Sequence, residues 1–154
     1  MEPVTRANCL NLNLLHSAAS QPYQECFGRE LYPTLAAKAA YLFMHLASGH
    51  IFGNGNKRTA ALCLDQFLLA NSTYLTLSND EVHDLAQDVA SFGERGEKFA
   101  DVLTRTTALI EKNLVPLSVF RLRSPKYYRL LHQTKNIIRT VRVNQPDTPL
   151  AQRR

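Results

Sequence analysis

The sequence predicts an all-α protein, and three stretches of helically spaced apolar residues carry that prediction. One runs from Leu35 to Leu46, a second from Ala60 to Ala70, and a third lies within residues 82–92. Apolar residues three and four positions apart fall on one face of a helix, which can then pack against its neighbours. No internal repeat is visible. The pattern is therefore that of a small helical domain.

The elements of the first 117 residues are predicted in a simple order. They are a short helix over 9–20, a loop or small hairpin over 21–31, helices over 34–48 and 56–70, a turn with a short extended piece over 71–77, a helix over 78–92 and a last helix over about 95–113. The first helix has Leu10, Leu14 and Leu15 on one face. Pro22 and Gly28 interrupt helical periodicity after it, which predicts the loop or hairpin.

The later boundaries also have local causes. The helix over 56–70 is apolar on nearly every face, which predicts that it is buried. Ser78 and Glu81 have the spacing of a capping box, in which each side chain bonds the other residue's backbone, and Gly93 stops the apolar stripe that follows. Another stripe, beginning at Phe99, marks the last helix.

Charge divides the chain into two parts, although its formal net charge is only +5. Residues 1–117 hold 9 lysines and arginines against 12 acidic residues, a net charge of −3; residues 118–154 hold the other 9 against Asp147 alone, a net charge of +8. We therefore predict a domain over 1–117 and a basic extension over 118–154. In the extension, Ser124 and Pro125 have the pattern of a helix start and predict a basic amphipathic helix, and two later prolines predict a disordered end.

Several function classes are disfavoured by composition. The three cysteines, Cys9, Cys26 and Cys63, have no metal-site spacing, and their odd number argues against a disulfide framework. The other histidines also lack the spacing of metal ligands: His16, His45, His83 and His132. No apolar run reaches membrane length, and the first residues lack the apolar core of a signal peptide, so a cytoplasmic location is expected.

The most informative segment is His50-Ile51-Phe52-Gly53-Asn54-Gly55-Asn56-Lys57-Arg58-Thr59-Ala60, which joins the helix ending near Ser48 to the helix predicted to be buried. A helix N-terminus carries about half a positive charge and unpaired N–H groups, so acidic residues are favoured there. This chain has Lys57 and Arg58 instead. The conflict is resolved if an anion binds at this end, and phosphate is the common one.

The other residues of the segment fit an anion site. Gly53 and Gly55 permit positive φ and let the backbone approach a ligand closely. Lys57 offers a point charge, and Arg58 offers a planar fork for phosphate oxygens.

His50 is the candidate catalytic residue. Its ordinary pKa of about 6.5 suits proton abstraction near neutral pH. We expect Phe52 to anchor the loop in the core and hold His50 in place. The alternative is that His50 only caps the preceding helix, with its ring bonded to carbonyl groups near Ser48.

The run HIFGNGNKRTA resembles the motif of the death-on-curing (Doc) branch of the Fic/Doc, or Fido, proteins. Typical Fic enzymes carry H-P-F-x-[DE]-G-N-G-R-x-x-R, whereas Doc proteins carry H-x-F-x-x-[AG]-N-K-R-T-A. Lys57 stands where Fic has glycine and Ala61 where Fic has its second arginine, and both favour Doc. Residues 14–22 and 31–40 also resemble the stretches before the Doc motif, so the resemblance covers about residues 8–113.

The resemblance implies the Fido fold, with a target-binding flap within residues 21–31, and an ATP-dependent transferase. It implies that His50 acts as general base on a hydroxyl of the target. It also implies that Asn56 and the loop amides, with Lys57 and Arg58, hold the nucleotide phosphates. Lysine at position 57 is associated with transfer of the γ-phosphate to a protein threonine, whereas glycine there accompanies AMP transfer. The implied target is translation elongation factor Tu, and the implied partner is a Phd-type antitoxin.

Asn54 departs from the pattern that the resemblance supplies. Many relatives have Asp or Glu at this position, and that carboxylate binds Mg²⁺. Asparagine has only a neutral oxygen, so magnesium is expected to arrive with the phosphates of the nucleotide.

Three other functions stay open at the level of sequence. The chain could transfer AMP, in the manner of Fic enzymes. It could be an inactive binding module in which Asn54 has removed the activity and the basic extension carries the function. It could also be a helical protein that binds nucleic acid through that extension, whose simplest alternative is a solvated basic face.

Overall fold

The computed structural model describes residues 8–119. The chain divides into two compact units, Met1–Val115 and Pro116–Arg154, and the helices below belong to the first. The basic helix and disordered end predicted for the extension lie outside the described residues. The 1–117 and 118–154 boundaries therefore stay predictions.

The described residues form a mainly helical domain, as the sequence predicts. In chain order the elements are α1 (Leu12–Ser20), a 3₁₀ turn (Gln21–Tyr23), β1 (Glu25–Cys26), β2 (Arg29–Glu30), α2 (Leu35–Ser48), α3 (Asn56–Ala70), β3 (Thr73–Leu75), α4 (Asn79–Ala90), α5 (Phe99–Lys112) and β4 (Leu114–Pro116). The strands form two separate two-stranded sheets, β1 with β2 and β3 with β4. Within residues 8–119 no helix is both long and apolar enough to cross a membrane.

Helix α2 lies at the centre and packs against α1, α3, α4 and α5. Its buried face mixes the large side chains of Phe43 and Met44 with alanines such as Ala39 and Ala40. Small side chains let neighbouring helices approach closely, and the large ones fill the space between them. Thr34 caps the helix by accepting a hydrogen bond from the Ala37 amide at 3.1 Å. The predicted bounds of this helix, 34–48, are confirmed.

Helix α1 begins later than predicted. Asn11 is its N-cap, and its side chain accepts a hydrogen bond from the Leu14 amide at 3.0 Å. Residues 9 and 10 pair with the loop after α2 instead of joining the helix: Cys9 forms a β-bridge with Phe52, and Leu10 donates to the Ile51 carbonyl at 2.8 Å. Leu10 is consequently 70% exposed, so the predicted apolar face that included it is wrong.

The segment between α1 and α2 is a hairpin rather than an irregular loop. Strands β1 and β2 are antiparallel, and the turn residues Phe27 and Gly28 both have positive φ, 50° and 73°. Two central residues with positive φ match the twist of a tight hairpin. Lys38 of α2 bonds the Glu30 carboxylate at 2.9 Å and the Tyr32 carbonyl at 2.5 Å, which ties the base of the hairpin to the helical core.

Helix α3 has the predicted bounds but not the predicted burial. Ala60, Leu64 and Leu68 are buried in the core. Leu62 is 65% exposed, although it lies in the most apolar part of the sequence. The prediction that the helix is buried on nearly every face is therefore wrong, because its neighbours cover only part of its circumference.

The capping box of α4 is confirmed. The Glu81 amide donates to Ser78 Oγ at 3.2 Å, and the Ser78 amide donates to the Glu81 carboxylate at 2.8 Å. Helix α4 ends at Ala90, and α5 begins at Phe99 rather than near residue 95. A turn with Gly96 at φ 69° separates the two helices. Arg95 in that turn forms an ion pair with Asp88 of α4 at 2.8 Å.

Candidate active site

The loop between α2 and α3 starts with two unusual backbone positions. Gly49 ends α2 and donates its amide to the His45 carbonyl at 3.0 Å. A Cβ at position 49 would lie 2.5 Å from that carbonyl oxygen, so only glycine fits there. His50 follows with φ 47°, in the left-handed region that a non-glycine residue seldom adopts. Backbone strain of this kind is concentrated at functional sites.

The His50 side chain is exposed to solvent. Within residues 8–119 its ring makes no hydrogen bond or ion pair. Two carbonyl groups near the end of α2 have other partners, since Met44 accepts from Ser48 Oγ at 2.7 Å and His45 accepts from the Gly49 amide. This geometry disfavours a helix-capping role and leaves the imidazole accessible to another molecule.

The middle of the loop is held against the core from two sides. Ile51 and Phe52 are both buried, so Phe52 lies where an anchor is expected. Residues 8–10 lie against them, because the Leu10 amide donates to the Ile51 carbonyl and the Gly53 amide donates to the Asn8 carbonyl at 2.9 Å. Movement of the loop is thus restricted on both sides of Phe52.

Asn56 closes the loop with its side chain. Its Oδ1 accepts from the Phe52 amide at 2.9 Å, and its Nδ2 donates to the Phe52 carbonyl at 2.8 Å. Both polar groups of the side chain are therefore engaged by the loop backbone. What Asn56 presents to an anion is its backbone amide at the start of α3.

The N-terminus of α3 has the character of an anion site. Gly55 is its N-cap, in the left-handed conformation with φ 76°, and no side chain within the described residues caps this end. The first amide bonded inside the helix is that of Thr59, which donates to the Gly55 carbonyl at 2.9 Å. The first turn contains no acidic residue. Amides pointing out of the helix, the helix dipole and the two cations Lys57 and Arg58 together favour a phosphate at this position.

The two cations have different surroundings. Lys57 Nζ donates to Gln87 Oε1 of α4 at 2.5 Å, and Gln87 Nε2 lies 3.4 Å from His83 Nε2. Arg58 is exposed and makes no hydrogen bond or ion pair in the part of the chain that the structure describes. The partner of Lys57 is a neutral amide, and within residues 8–119 no acidic side chain forms an ion pair with it.

Lys57 and Arg58 also stand at one end of a groove between α3 and α4. We call this cavity, of about 390 Å³, the α3–α4 groove, and the residues lining it are Lys57, Arg58, Ala61, Leu62, Asp65, Asn79, Val82, His83 and Ala86. The exposed Leu62 is one of its walls. Partial burial raises the pKa of the Asp65 carboxyl above its ordinary value.

Sequence reasoning did not find the groove. Its α3 wall consists of positions four residues apart, Lys57 with Ala61 and Asp65, and Arg58 with Leu62. That spacing from the two cations is the signal that could have pointed to it. The α4 wall offers no such signal, because it depends on which face of α4 packs toward α3.

The described residues do not build a magnesium site from protein ligands alone. Between residues 8 and 119 no group of three or more His, Cys, Asp or Glu side chains converges. Asn54 is exposed in the loop beside Gly53 and supplies one neutral oxygen. These residues fit magnesium only as an ion carried in by a phosphate ligand.

His45, which precedes the loop, belongs to an aromatic cluster. Its ring lies 4.2 Å from that of Tyr41 and 5.1 Å from that of Phe99, between centroids. Burial lowers the pKa of the His45 imidazole. These contacts show His45 packed among aromatic side chains.

Comparison with known proteins points to the same part of the chain. The Fic/DOC family model matches residues 2–68, which include the hairpin, α2, the loop and most of α3. A protein named Toxin Doc from Mycolicibacterium smegmatis is 38% identical over 80 residues, which are 51% of this chain and 62% of that protein. The similarity thus spans less than two thirds of the relative's length. No solved structure matches the chain.

Proposed function

We propose that this chain is a Doc-type toxin of the Fic/DOC family. The family model that matches residues 2–68 supports the proposal, as does the 38% identity over 80 residues to Toxin Doc. The mainly helical domain is consistent with the Fido fold. The proposed reaction is transfer of the terminal phosphate of ATP to a hydroxyl of a protein. Translation elongation factor Tu is the proposed target, because the resemblance of the motif to Doc implies it. Inhibition of translation would follow in the cytoplasm.

The observation that carries the proposal is the N-terminus of α3. It combines a left-handed glycine cap, a first turn without acids and the cations Lys57 and Arg58. Each charge-assisted hydrogen bond to a phosphate oxygen contributes about 1.5–3 kcal/mol. The strained and accessible His50 lies at the other end of the same short loop. A phosphate site beside a free imidazole supports phosphoryl transfer over simple phosphate binding.

The proposed step balances without any further reactant. The hydroxyl oxygen of the target attacks the γ-phosphorus, and a new phosphorus–oxygen bond forms. The bond from the γ-phosphorus to the bridging oxygen breaks, and ADP leaves with the electron pair. A ring nitrogen of His50 accepts the hydroxyl proton. Lys57, Arg58 and the amides at the start of α3 offset the charge on the transferring group.

Magnesium enters this proposal as part of the substrate, Mg-ATP. The described residues lack a protein-only site for the ion, and Asn54 supplies at most one neutral ligand. The chain's own contribution is therefore to hold the phosphates and to orient the target hydroxyl.

AMP transfer is the alternative reaction. Lys57 supports phosphate transfer, because Fic enzymes have glycine at this position and Lys57 points toward α4 rather than leaving open space. The two reactions differ in which phosphorus is attacked. Mass analysis of the modified target separates them, since an adenylate adds far more mass than a phosphate.

The decisive experiment incubates the purified protein with Mg-ATP and elongation factor Tu and measures the intact mass of the target. Wild type is expected to add one phosphate, and His50→Ala is expected to be slower by about 10²-fold. Melting of His50→Ala at the wild-type temperature would confirm that the loss is catalytic. Equal rates for the two proteins would contradict the role of His50, and an added adenylate would establish the alternative reaction.

We also propose a Phd-type antitoxin as the neutralising partner. Expression of the wild type alone should arrest growth and protein synthesis, and co-expression of the gene product encoded beside it should relieve the arrest. His50→Ala expressed to the same level is the control. Arrest by both versions would contradict a catalytic toxin.

A further inference from the structure

The hairpin of β1 and β2 has little support of its own. Residues 23–31 are all exposed, and the turn residue Phe27 is completely so. Each strand has two residues, and within the described part of the chain the two strands pair only with each other. An isolated two-stranded hairpin is at best marginally stable in water. The position of this hairpin relative to the helices must therefore be set at its base.

Helix α2 holds the base of the hairpin at two points. Before β1, the side-chain oxygen of Gln21 accepts a hydrogen bond from the Tyr41 hydroxyl. At the end of β2, Lys38 donates to the Glu30 carboxylate at 2.9 Å and to the Tyr32 carbonyl. The two points are joined, because the rings of Tyr32 and Tyr41 lie 4.5 Å apart between centroids. Both ends of the hairpin are thus fastened to the same helix.

Lys38 is the unusual residue of this base. Its side chain is only 12% exposed, whereas that of Glu30 is 50% exposed. A lysine is seldom buried without a partner, because removing its charge from water is costly. Lys38 is also the fourth residue of α2, near the end of the helix where the dipole disfavours a cation. Its contacts to the hairpin offset both costs, so they account for a cation at this position.

Helix α2 also leads into the loop that carries His50. At a rise of about 1.5 Å per residue, the stretch from Lys38 to Ser48 spans about 15 Å. One regular helix therefore connects the base of the hairpin to the loop. The Doc resemblance implies that the hairpin binds the target, and its unpaired strand edges and exposed Phe27 suit an extended segment of a protein. The placement of such a segment relative to His50 depends on how the hairpin is held.

We propose that Lys38 is a positioning residue for the protein target. It fixes the hairpin through Glu30 and the Tyr32 carbonyl, so that a target segment bound there presents its hydroxyl to His50. The inference rests on the proposed function and adds a residue that acts on the target rather than on the nucleotide. Neither partner of Lys38 belongs to the proposed phosphate site, so binding of Mg-ATP should not depend on it.

The test measures phosphate transfer by the full chain at varied concentrations of elongation factor Tu, with Mg-ATP saturating. Lys38→Met keeps an unbranched apolar side chain and removes the charge and its donors. Its kcat/KM for the target is expected to fall about tenfold, because a misplaced reacting group lowers the rate. Its affinity for Mg-ATP, measured by calorimetry, is expected to equal that of wild type. Lys38→Arg keeps a cation with several donors and is expected to recover most of the loss.

Lys112→Met is the matched control. Lys112 is an exposed lysine in the last turn of α5, and its side chain makes no hydrogen bond or ion pair within residues 8–119. This variant should modify the target as wild type does. Thermal melting of every variant sets an assay temperature at which all are folded. A merely structural role of Lys38 would lower the melting temperature of Lys38→Met and leave the kcat/KM of the folded protein unchanged.

The results that would overturn the inference are distinguishable from failure of the proposed function. If wild type modifies the target and Lys38→Met does so with the same kcat/KM, Lys38 does not position the target and the proposed function stands. An equal loss of Mg-ATP affinity in Lys38→Met would also exclude a role confined to the target. Absence of transfer by wild type would overturn the proposed function and the inference together.

Discussion

Asn56→Ala is expected to lower the free energy of unfolding by about 2 kcal/mol. The substitution removes two hydrogen bonds, at 2.9 and 2.8 Å, that pair both polar groups of the Phe52 backbone. Each neutral hydrogen bond contributes about 1 kcal/mol net, and the part-buried Phe52 groups would also lose their partner. Loosening of the loop should weaken Mg-ATP binding as well, because the loop positions the start of α3.

Urea unfolding of Asn56→Ala measures the stability change, and Asn71→Ala is its matched control. Within the described residues the Asn71 side chain makes a single exposed hydrogen bond of similar form, from Nδ2 to the Phe67 carbonyl at 2.7 Å. We expect the control to lose about 0.5 kcal/mol. Equal losses in the two variants, or a midpoint of Asn56→Ala identical to wild type, would refute the reasoning.

Asn56→Asp separates the stability of the loop from the charge of the site. It keeps the acceptor for the Phe52 amide, and a carboxylate at the first position of α3 interacts favourably with the helix dipole by about 0.3–1 kcal/mol. It should therefore unfold at a higher urea concentration than Asn56→Ala. Its negative charge opposes phosphate, so it should bind Mg-ATP no better than Asn56→Ala. Tighter binding would contradict an anion site here.

Four further predictions concern the loop and its neighbours. In urea unfolding, His50→Gly should be more stable than His50→Ala by about 1 kcal/mol, because φ at position 50 is 47° and glycine adopts that conformation without strain. Equal free energies of unfolding for the two variants would contradict backbone strain. Asn54→Asp should lower the Mg²⁺ concentration needed for half-maximal transfer; a magnesium titration that shows no change would mean that position 54 does not face the metal. Arg58→Ala should weaken Mg-ATP binding by about 1.5–3 kcal/mol in calorimetry, and unchanged affinity would exclude a phosphate contact. Lys57→Met should weaken Mg-ATP binding, and adding Gln87→Met to that variant should weaken it no further. If the losses of binding free energy in this double-mutant cycle are additive, Gln87 does not act through Lys57.

Local sequence patterns determined much of the fold. The bounds of α2 and α3 and the capping box of Ser78 and Glu81 follow from interactions between residues three or four positions apart. The cationic, acid-free start of α3 was also evident, since it depends only on residues in one helical turn. Such features depend on spacing along the chain, which the sequence states directly.

Packing between distant segments decided the rest. Leu10 leaves α1 because its backbone pairs with the loop some forty residues later, and that pairing has no sequence pattern. Leu62 is exposed because neighbouring helices cover only part of α3, which apolar character alone cannot reveal. Lys57 donates a hydrogen bond to Gln87, which lies thirty residues later on α4. Which face of α4 lies toward Lys57 depends on how α4 crosses α3. The sequence by itself therefore predicted an anion site at the start of α3, whereas tertiary packing decided what lies beside it, because a groove forms only where two helices meet.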